Sequence, residues 1–86
     1  MRYTVIWSPA TIARLAVLWD QNVALQNDIT AASDEIDRVL ATSPERFGKE
    51  IAPSNRQLVQ PPLAILYRIS PDDRRVNIYA VKFWDD

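Results

Sequence analysis

The sequence predicts an α+β fold with the element order β-α-α-β-β-β, in which a helical hairpin packs on one face of a mainly antiparallel sheet. Three patterns support this prediction: an alternating segment near the N-terminus, two stretches with apolar residues at three- and four-residue steps, and alternating segments in the last third. Because 86 residues are enough for one hydrophobic core and too few for two, we expect residues 1–86 to form a single domain.

The first strand is predicted over residues 2–7, where aromatic and β-branched side chains occupy every second position. Ser8 and Pro9 then begin a helix, since serine is a good N-cap and proline is favoured in the first helical turn. The apolar residues that follow at three- and four-residue steps predict one buried stripe along this helix. The stripe consists of Ile12, Leu15, Ala16, Trp19 and Val23.

A second helix is predicted after a short polar turn, with Asn27 or Asp28 as its N-cap. It should end near Ser43, because the residue before a proline avoids helical backbone angles. Asp34 and Arg38 are four residues apart on its polar side and predict a weak ion pair. The apolar stripe of this helix consists of Ile29, Ala32, Ile36, Val39 and Leu40.

Three strands are predicted after an irregular stretch. Residues 44–55 form that stretch and contain the one glycine of the chain, Gly48, which is expected where the backbone needs a positive φ. A short strand follows at 56–60 and the strongest alternating segment at 63–69. A Ser-Pro-Asp-Asp turn then leads into the last strand, 76–83, which should form a hairpin with its predecessor.

Three large aromatic residues are interpreted as core residues, because they lie on apolar faces. Trp7 and Trp19 belong to the strand and helix stripes, and Tyr67 shares a strand face with Ile65 and Ile69. Core packing is therefore favoured over a role in proton transfer for Tyr67.

Cysteine and histidine are both absent from the sequence. Disulfide bonds, thiolate metal sites and cysteine nucleophiles are thereby excluded, as are Ser-His-Asp triads and imidazole ligands. We expect neither a metal nor another cofactor. The sequence has no run of about eighteen apolar residues, and its first residues lack the apolar stretch of a secretory signal, so a cytoplasmic location without membrane association is expected.

Charge is distributed unevenly along the chain. Residues 1–45 carry three basic and six acidic side chains, a net charge of −3, and residues 46–84 carry seven basic and three acidic ones, a net charge of +4. Asp85 and Asp86 bring the total to −1. The second half can therefore present a modest positive face to an acidic partner, although the balance is unlike that of a dedicated nucleic-acid binder. An ordinary solvated surface is the alternative interpretation.

Several short motifs occur in a characteristic order. They are Tyr-x-Val-x-Trp-Ser-Pro-Ala at 3–10, Pro-x-x-Phe-Gly at 44–48, and Leu-Tyr-Arg-Ile at 66–69 followed by an acidic turn and a closing strand at 76–81. In this order and spacing the chain resembles the RelE/ParE superfamily, the toxins of bacterial type II toxin–antitoxin pairs of the plasmid-stabilisation type. The resemblance covers almost the whole chain and implies the fold predicted above.

The resembled family contains ribosome-dependent toxins that cleave messenger RNA and toxins that poison gyrase. In the first kind, basic residues on the concave face of the sheet stabilise the charge that develops on phosphate. Here the position of a usual arginine falls on Ala64, and the C-terminal segment that usually supplies an arginine and a tyrosine is Phe83-Trp84-Asp85-Asp86. Carboxylates there would repel a phosphodiester. The usual catalytic residues are therefore missing, which argues against an enzyme, and no catalytic residue is assigned.

Four residues remain as candidates for a binding site. Arg56, Arg68 and Lys82 lie on the three later strands and would form a cationic patch if all three point to the open face of the sheet. The alternative is three separate surface charges. Trp84 is a candidate for stacking on a base or on a partner side chain, and the alternative is that it covers an edge of the core.

The leading functional hypothesis is a toxin-family protein that acts mainly by binding a cognate antitoxin, whose apolar and acidic tail would wrap the helices or the open sheet face. Gyrase, or the ribosome and its RNA, is the cellular target that the resemblance suggests. The second hypothesis is a divergent messenger-RNA endoribonuclease that uses the cationic patch. The third is an orphan interaction domain without toxicity.

Overall fold

Two helices pack on one face of a five-stranded sheet in the computed structural model, which describes residues 2–84. The elements are β1 (Thr4–Trp7), α1 (Pro9–Gln21), a 3-10 turn (Val23–Leu25), α2 (Gln26–Thr42), β2 (Lys49–Ala52), β3 (Asn55–Gln60), β4 (Leu63–Ser70) and β5 (Arg75–Phe83). The predicted α+β class and the helical hairpin on one sheet face are confirmed.

The strands follow the spatial order β1-β5-β4-β3-β2. The first strand pairs with β5 in parallel, and all other neighbours in the described sheet are antiparallel. Strand β2 was not predicted, because it lies in the stretch 44–55 that was interpreted as irregular. Its four residues are all exposed at the sheet edge, so they show no alternation of buried and exposed side chains.

The core lies between the two helices and the inner face of the central strands. Strands β4 and β5 contribute Leu63, Ile65, Tyr67, Val76 and Ile78, each of which is at most 1% exposed. The predicted stripe of α2 is confirmed in full, since all five of its residues are buried. Trp7 is half-buried against this core, and its indole Nε1 donates a hydrogen bond of 2.7 Å to Asp37 Oδ1 on α2.

The predicted stripe of α1 was wrong for most of its residues, although Leu15 packs against the core as predicted. Ile12 is 55% exposed, Trp19 40% and Val23 75%, whereas Thr11 and Leu18 face the sheet and are buried. Residues 15–19 are apolar without interruption, so periodicity alone allowed two stripes. Ser8 is the N-cap as predicted: its hydroxyl accepts a hydrogen bond from the backbone N–H of Thr11 and contacts the Thr11 hydroxyl at 2.6 Å.

The start of α2 also differs from the prediction. Neither Asn27 nor Asp28 is the N-cap; the cap position is Leu25, which makes no side-chain capping hydrogen bond. The reason is that the 3-10 turn Val23–Leu25 runs directly into the helix, so the polar residues already lie within its first turn. The end at Ser43 is as predicted, and its backbone N–H donates to the carbonyl of Val39.

The outer surface of the two helices is acidic. Arg38 pairs with Glu35, three residues earlier, rather than with Asp34 as predicted. Two basic and five acidic side chains give the helices a net charge of −3. They are Arg14, Asp20, Asp28, Asp34, Glu35, Asp37 and Arg38.

The connection from α2 to β2 is held by Tyr67, which is fully buried as predicted. Its hydroxyl group is within donating distance of two backbone carbonyls. The hydroxyl oxygen lies 2.8 Å from the carbonyl oxygen of Pro44 and 2.7 Å from that of Phe47. Arg56 donates to the carbonyls of Phe47 and Gly48 at 3.1 Å each. Burial raises the pKa of the Tyr67 hydroxyl above its ordinary value, and the nearby Arg56 guanidinium opposes that rise only in part.

Candidate protein-binding surfaces

The pairing register assigns each strand residue to one of the two sheet faces, since directly opposed residues point the same way. Tyr67 and its neighbours two residues away point to the helices. The alternate residues of β4 and their partners on β5 point to the open face. These pairs are Ala64 with Lys82, Leu66 with Ala80, and Arg68 with Asn77.

A β-bulge on β5 places one additional side chain on the open face. The register shifts between Leu66 and Tyr67, where Tyr79 has no partner on β4. The Tyr79 hydroxyl donates to Asn55 Oδ1 at 3.1 Å. Because β4 lies between β5 and β3, this hydrogen bond crosses β4 and divides the open face into two depressions.

The first depression, called the Ala64 depression below, has a volume of about 220 Å³. Its floor is made of small apolar side chains, and Ala64 is only 2% exposed although it faces away from the helices. Gln57 and Lys82 are the polar residues at its border. It can accommodate one apolar side chain and offers a cation at one end. The lining residues are Gln57, Ala64, Ile65, Leu66, Ala80, Val81 and Lys82.

The second depression, called the Arg68 depression below, has a volume of about 530 Å³ and is lined by residues with polar groups at the ends of largely apolar side chains. It is lined by Asn55, Arg68, Asn77 and Tyr79. The guanidinium of Arg68 is a bidentate donor, which suits a carboxylate or a phosphate. This depression can therefore bind an anionic group, next to an exposed tyrosine ring.

The structure brings together two of the three predicted cations. Arg68 and Lys82 share the open face, whereas Arg56 opposes Tyr67 and therefore points to the helix side. There its guanidinium donates to two backbone carbonyls and lies 4.0 Å from Glu50. The three side chains do not form one patch. Arg68 is four residues from Ala64, the partner of Lys82, which corresponds to about 13 Å along the strand.

Trp84, the predicted stacking residue, is 37% exposed just after β5, and its backbone N–H donates to the carbonyl of Pro62 at 2.9 Å. Its stacking role remains a prediction. The carboxylates of Asp85 and Asp86, which were expected to repel phosphate, lie outside the described residues.

A third surface, called the interhelical groove below, separates α1 from α2. It has a volume of about 320 Å³ and a mostly apolar lining. Trp19 lies along it, and its indole Nε1 donates to Thr30 Oγ1 on α2 at 3.2 Å. The lining residues are Ile12, Leu15, Ala16, Trp19, Asp20, Ile29, Thr30 and Ser33.

Sequence reasoning missed this groove because it placed Ile12 and Trp19 in the core. The signal that was available is the uninterrupted apolar run in α1, which is wider than one buried stripe needs. A helix with apolar residues on two sides has one side left for a partner.

No protein-family model matches the chain, and no curated protein sequence is significantly similar to it. Solved structures, in contrast, match over nearly the whole chain. A chain of the toxin–antitoxin complex RelBE2 from Mycobacterium tuberculosis is 24% identical, with a TM-score of 0.77 over 98% of this chain and 100% of that one. A chain of the chromosomal ParDE toxin–antitoxin system from P. aeruginosa is 16% identical, with a TM-score of 0.74 over 98% of both chains.

The isolated E. coli RelE toxin is also similar, with 10% identity and a TM-score of 0.63 over 98% of this chain and 86% of that one. The chain therefore has the fold of the RelE/ParE toxins, as the resemblance predicted. Among the helices of the described residues, none combines the length and the hydrophobicity that crossing a bilayer requires.

Proposed function

We propose that this chain is the toxin of a cytoplasmic toxin–antitoxin pair and that its main molecular activity is to bind a protein partner in the interhelical groove. The observation that carries this proposal is the exposure of Ile12 and Trp19 along the α1 side of an apolar groove of about 320 Å³. Exposed apolar side chains that line a common concave surface are typical of protein-binding sites.

The groove is suited to an amphipathic segment that inserts apolar side chains between the helices. Burying what remains exposed of Ile12 and Trp19 would contribute roughly 1–2 kcal/mol each, at about 25 cal/mol per Å² of apolar surface. The hydrogen bond from Trp19 to Thr30 holds the indole in place before the partner arrives. Less side-chain entropy is therefore lost on binding.

The charge around the groove specifies the partner further. The helices carry a net charge of −3, so the segment that binds there should carry basic side chains beside its apolar ones. An acidic tail, as expected from the sequence, is better suited to the opposite side of the protein, where Arg68 and Lys82 lie.

The comparisons support a toxin–antitoxin role. Two of the similar structures are described as toxin–antitoxin assemblies, RelBE2 and ParDE. They match this chain over almost its entire length, which is the basis for transferring the antitoxin partner to it as a proposal.

The arrangement of the cations favours binding over RNA cleavage. On the open face the backbone positions of Arg68 and Lys82 are about 13 Å apart along the strands, and the two side chains line different depressions. Arg56 is on the other face and is engaged with backbone carbonyls. Alanine occupies position 64, where the resembled ribonucleases have an arginine. These features support protein binding as the main activity.

The proposal is tested by inducing this chain in a bacterial host, alone and together with the protein from the adjacent short reading frame. We expect growth arrest in the first case, and in the second normal growth and co-purification of the two proteins. If the chain causes no growth arrest and forms no stable complex, the proposal is contradicted. The orphan interaction domain is then the remaining hypothesis.

The same cultures separate the cellular targets. Inhibition of DNA supercoiling by the purified chain would identify gyrase as the target. Intact messenger RNA in arrested cells would argue against the endoribonuclease, whereas cleavage abolished by Arg68→Ala would support it.

A further inference from the structure

We propose that two copies of this chain pair through the outer edge of β1, so that their sheets join into one continuous sheet across a two-fold axis. This surface lies at an edge of the sheet, apart from the interhelical groove, and the pairing goes beyond the proposed function. A dimer of this kind presents two interhelical grooves to a partner protein.

The backbone of β1 has hydrogen-bonding groups that no neighbouring strand uses. The N–H of Thr4 donates to the carbonyl just before β5, and that of Ser8 donates to the carbonyl of Ile78 within it. Because backbone groups alternate along a strand, the N–H and carbonyl groups of Val5 and Trp7 point away from β5. Within residues 2–84, these groups have no hydrogen-bond partner.

The two edges of the sheet differ in their protection against pairing. Strand β2, at one edge, carries Lys49 and Glu50, contains a β-bulge and is followed by Pro53. Charges, bulges and prolines are the devices that keep edge strands from pairing with other chains. Strand β1, at the other edge, has the sequence Thr-Val-Ile-Trp and carries none of them. Its edge is therefore a template for another strand.

The side chains of β1 leave apolar surface uncovered on both faces of the sheet. Val5 and Trp7 pack against the core on the helix side but are only half-buried, and no strand of the described residues lies beyond them. On the open face, Ile6 is 37% exposed. A strand beside β1 would cover both surfaces at once, which favours pairing because apolar surface leaves water.

One two-fold register pairs all of the free backbone groups. Placing Val5 opposite Trp7 of the second copy joins each free N–H to a free carbonyl, because opposed residues of an antiparallel pair can exchange both bonds. A shift in one direction sets Trp7 opposite Tyr3, whose N–H already donates to α2. A shift in the other direction sets Val5 opposite Pro9, which has no N–H. In the favoured register, Ile6 lies opposite Ile6 of the second copy.

The chemistry of this edge favours a second copy over a charged partner segment. Strand β1 carries no charged side chain, so an acidic or basic segment would lose hydration without gaining an ion pair on this strand. A second copy instead sets Val5 against Trp7 on the helix side and Ile6 against itself on the open face, and such apolar cross-strand pairs are stabilising. Because the interface is small, we expect association at roughly tens of micromolar.

The first test is sedimentation of the purified chain over roughly a hundredfold range of concentration around that value, where we expect a shift from monomer to dimer. Ile6→Lys sets two ammonium groups against each other at the two-fold axis and should weaken association at least about tenfold. Ile51→Lys is the matched control, since it changes an exposed isoleucine at the opposite edge and should leave association unchanged. Circular dichroism and urea denaturation establish that each variant is folded.

The register is tested by oxidation, because the chain has no cysteine of its own. In Ile6→Cys the two thiols meet in a non-hydrogen-bonded pair, whose Cα atoms are about 4.5 Å apart, so a disulfide-linked dimer should form. In Thr4→Cys the two thiols would be about 13 Å apart along the strands, and cross-linking should be at least about tenfold slower.

Amide hydrogen exchange identifies the groups that pair. The N–H groups of Val5 and Trp7 should gain protection as the concentration of the chain is raised, because they are bonded only in the dimer. The N–H of Ile6 points to β5 and should be protected at every concentration, which makes it the internal control.

Four outcomes would overturn the inference. They are a chain that stays monomeric at the highest concentration, a dimer that survives Ile6→Lys in a folded variant, and cross-linking of Thr4→Cys as fast as that of Ile6→Cys. The fourth is protection of Val5 and Trp7 that appears only with the antitoxin, which would assign this edge to a strand of the partner. Ile6→Lys should still co-purify with the antitoxin, so this inference and the proposed function fail separately.

Discussion

A Cβ atom on Gly48 would lie 2.8 Å from the hydroxyl oxygen of Tyr67 and 2.6 Å from the carbonyl oxygen of Gln57. Both neighbours are fixed, since the tyrosine is buried and the carbonyl belongs to β3. The backbone at Gly48 also has φ of +73°, as predicted from the sequence. We therefore expect Gly48→Ala to lower the free energy of unfolding by about 2 kcal/mol or more, measured by urea denaturation.

Ser54 offers a matched control for this prediction. It also has a positive φ, +64°, and lies at an exposed turn. Ser54→Gly should change the free energy of unfolding by less than about 1 kcal/mol, because relief of backbone strain offsets the greater entropy of the unfolded chain. Equal stability of Gly48→Ala and wild type would show that the loop can move away from Tyr67.

The buried hydroxyl of Tyr67 makes stability depend on alkaline pH. Burial raises its pKa in the folded chain above the value of about 10 expected when the chain is unfolded. The neutral form is therefore favoured by folding: its contribution is complete below the unfolded pKa and is lost as the pH rises through the folded one. The free energy of unfolding should fall above about pH 10 in wild type and fall less in Tyr67→Phe.

At neutral pH, Tyr67→Phe should also cost about 1–2 kcal/mol, because two backbone carbonyls lose their donor. Tyr79→Phe is the matched control, since its hydroxyl is exposed and bonds a side chain instead of the backbone. Parallel alkaline unfolding of wild type and Tyr67→Phe would contradict the assigned role of the buried hydroxyl.

Partner binding in the interhelical groove is tested by two similar changes on α1. Ile12→Asp places a carboxylate in the groove and should reduce co-purification with the antitoxin at least tenfold, because a charge would be desolvated on binding. Val17→Asp changes a β-branched apolar residue that is 40% exposed on another side of the same helix and should leave binding intact. Loss of binding in both variants, or in neither, would count against the groove.

The sequence predicted the helices and central strands because each carries a strong local pattern. In α2, polar residues lie between the apolar ones in the sequence. The apolar stripe from Ile29 to Leu40 therefore predicted one buried side of the helix. In α1 the apolar run was continuous, so the pattern did not indicate which side faces the sheet; in the structure Thr11 and Leu18 are the buried residues. The sequence thus predicts poorly which side of a helix is buried when polar residues do not border the apolar stripe on both sides.

The candidate site was predicted less well, because it depends on pairing between strands. A cationic patch required Arg56, Arg68 and Lys82 all to point to the open face, and the register that sets Arg56 opposite Tyr67 could not be predicted from the sequence. The bulge that brings Tyr79 to the open face leaves no local signal in the sequence. Shifting a strand by one residue moves all its side chains to the other face, so such sites are determined by tertiary structure.

The orientation of α1 in the structure predicts that two adjacent substitutions lower the free energy of unfolding by different amounts. Leu18 is 3% exposed and packs in the core, so Leu18→Ala should lower the free energy of unfolding by roughly 2–4 kcal/mol. Trp19 is the larger residue but is 40% exposed and borders an open groove, so Trp19→Ala leaves no closed cavity and should cost less than Leu18→Ala, about 1–2 kcal/mol. Both changes end in alanine on the same helix, so urea denaturation of the two variants compares mainly the burial that is lost, together with the exposed hydrogen bond from Trp19 to Thr30. A larger loss of stability for Trp19→Ala than for Leu18→Ala would indicate that the tryptophan is buried in the core. It would then not be available to form the interhelical groove as a binding surface.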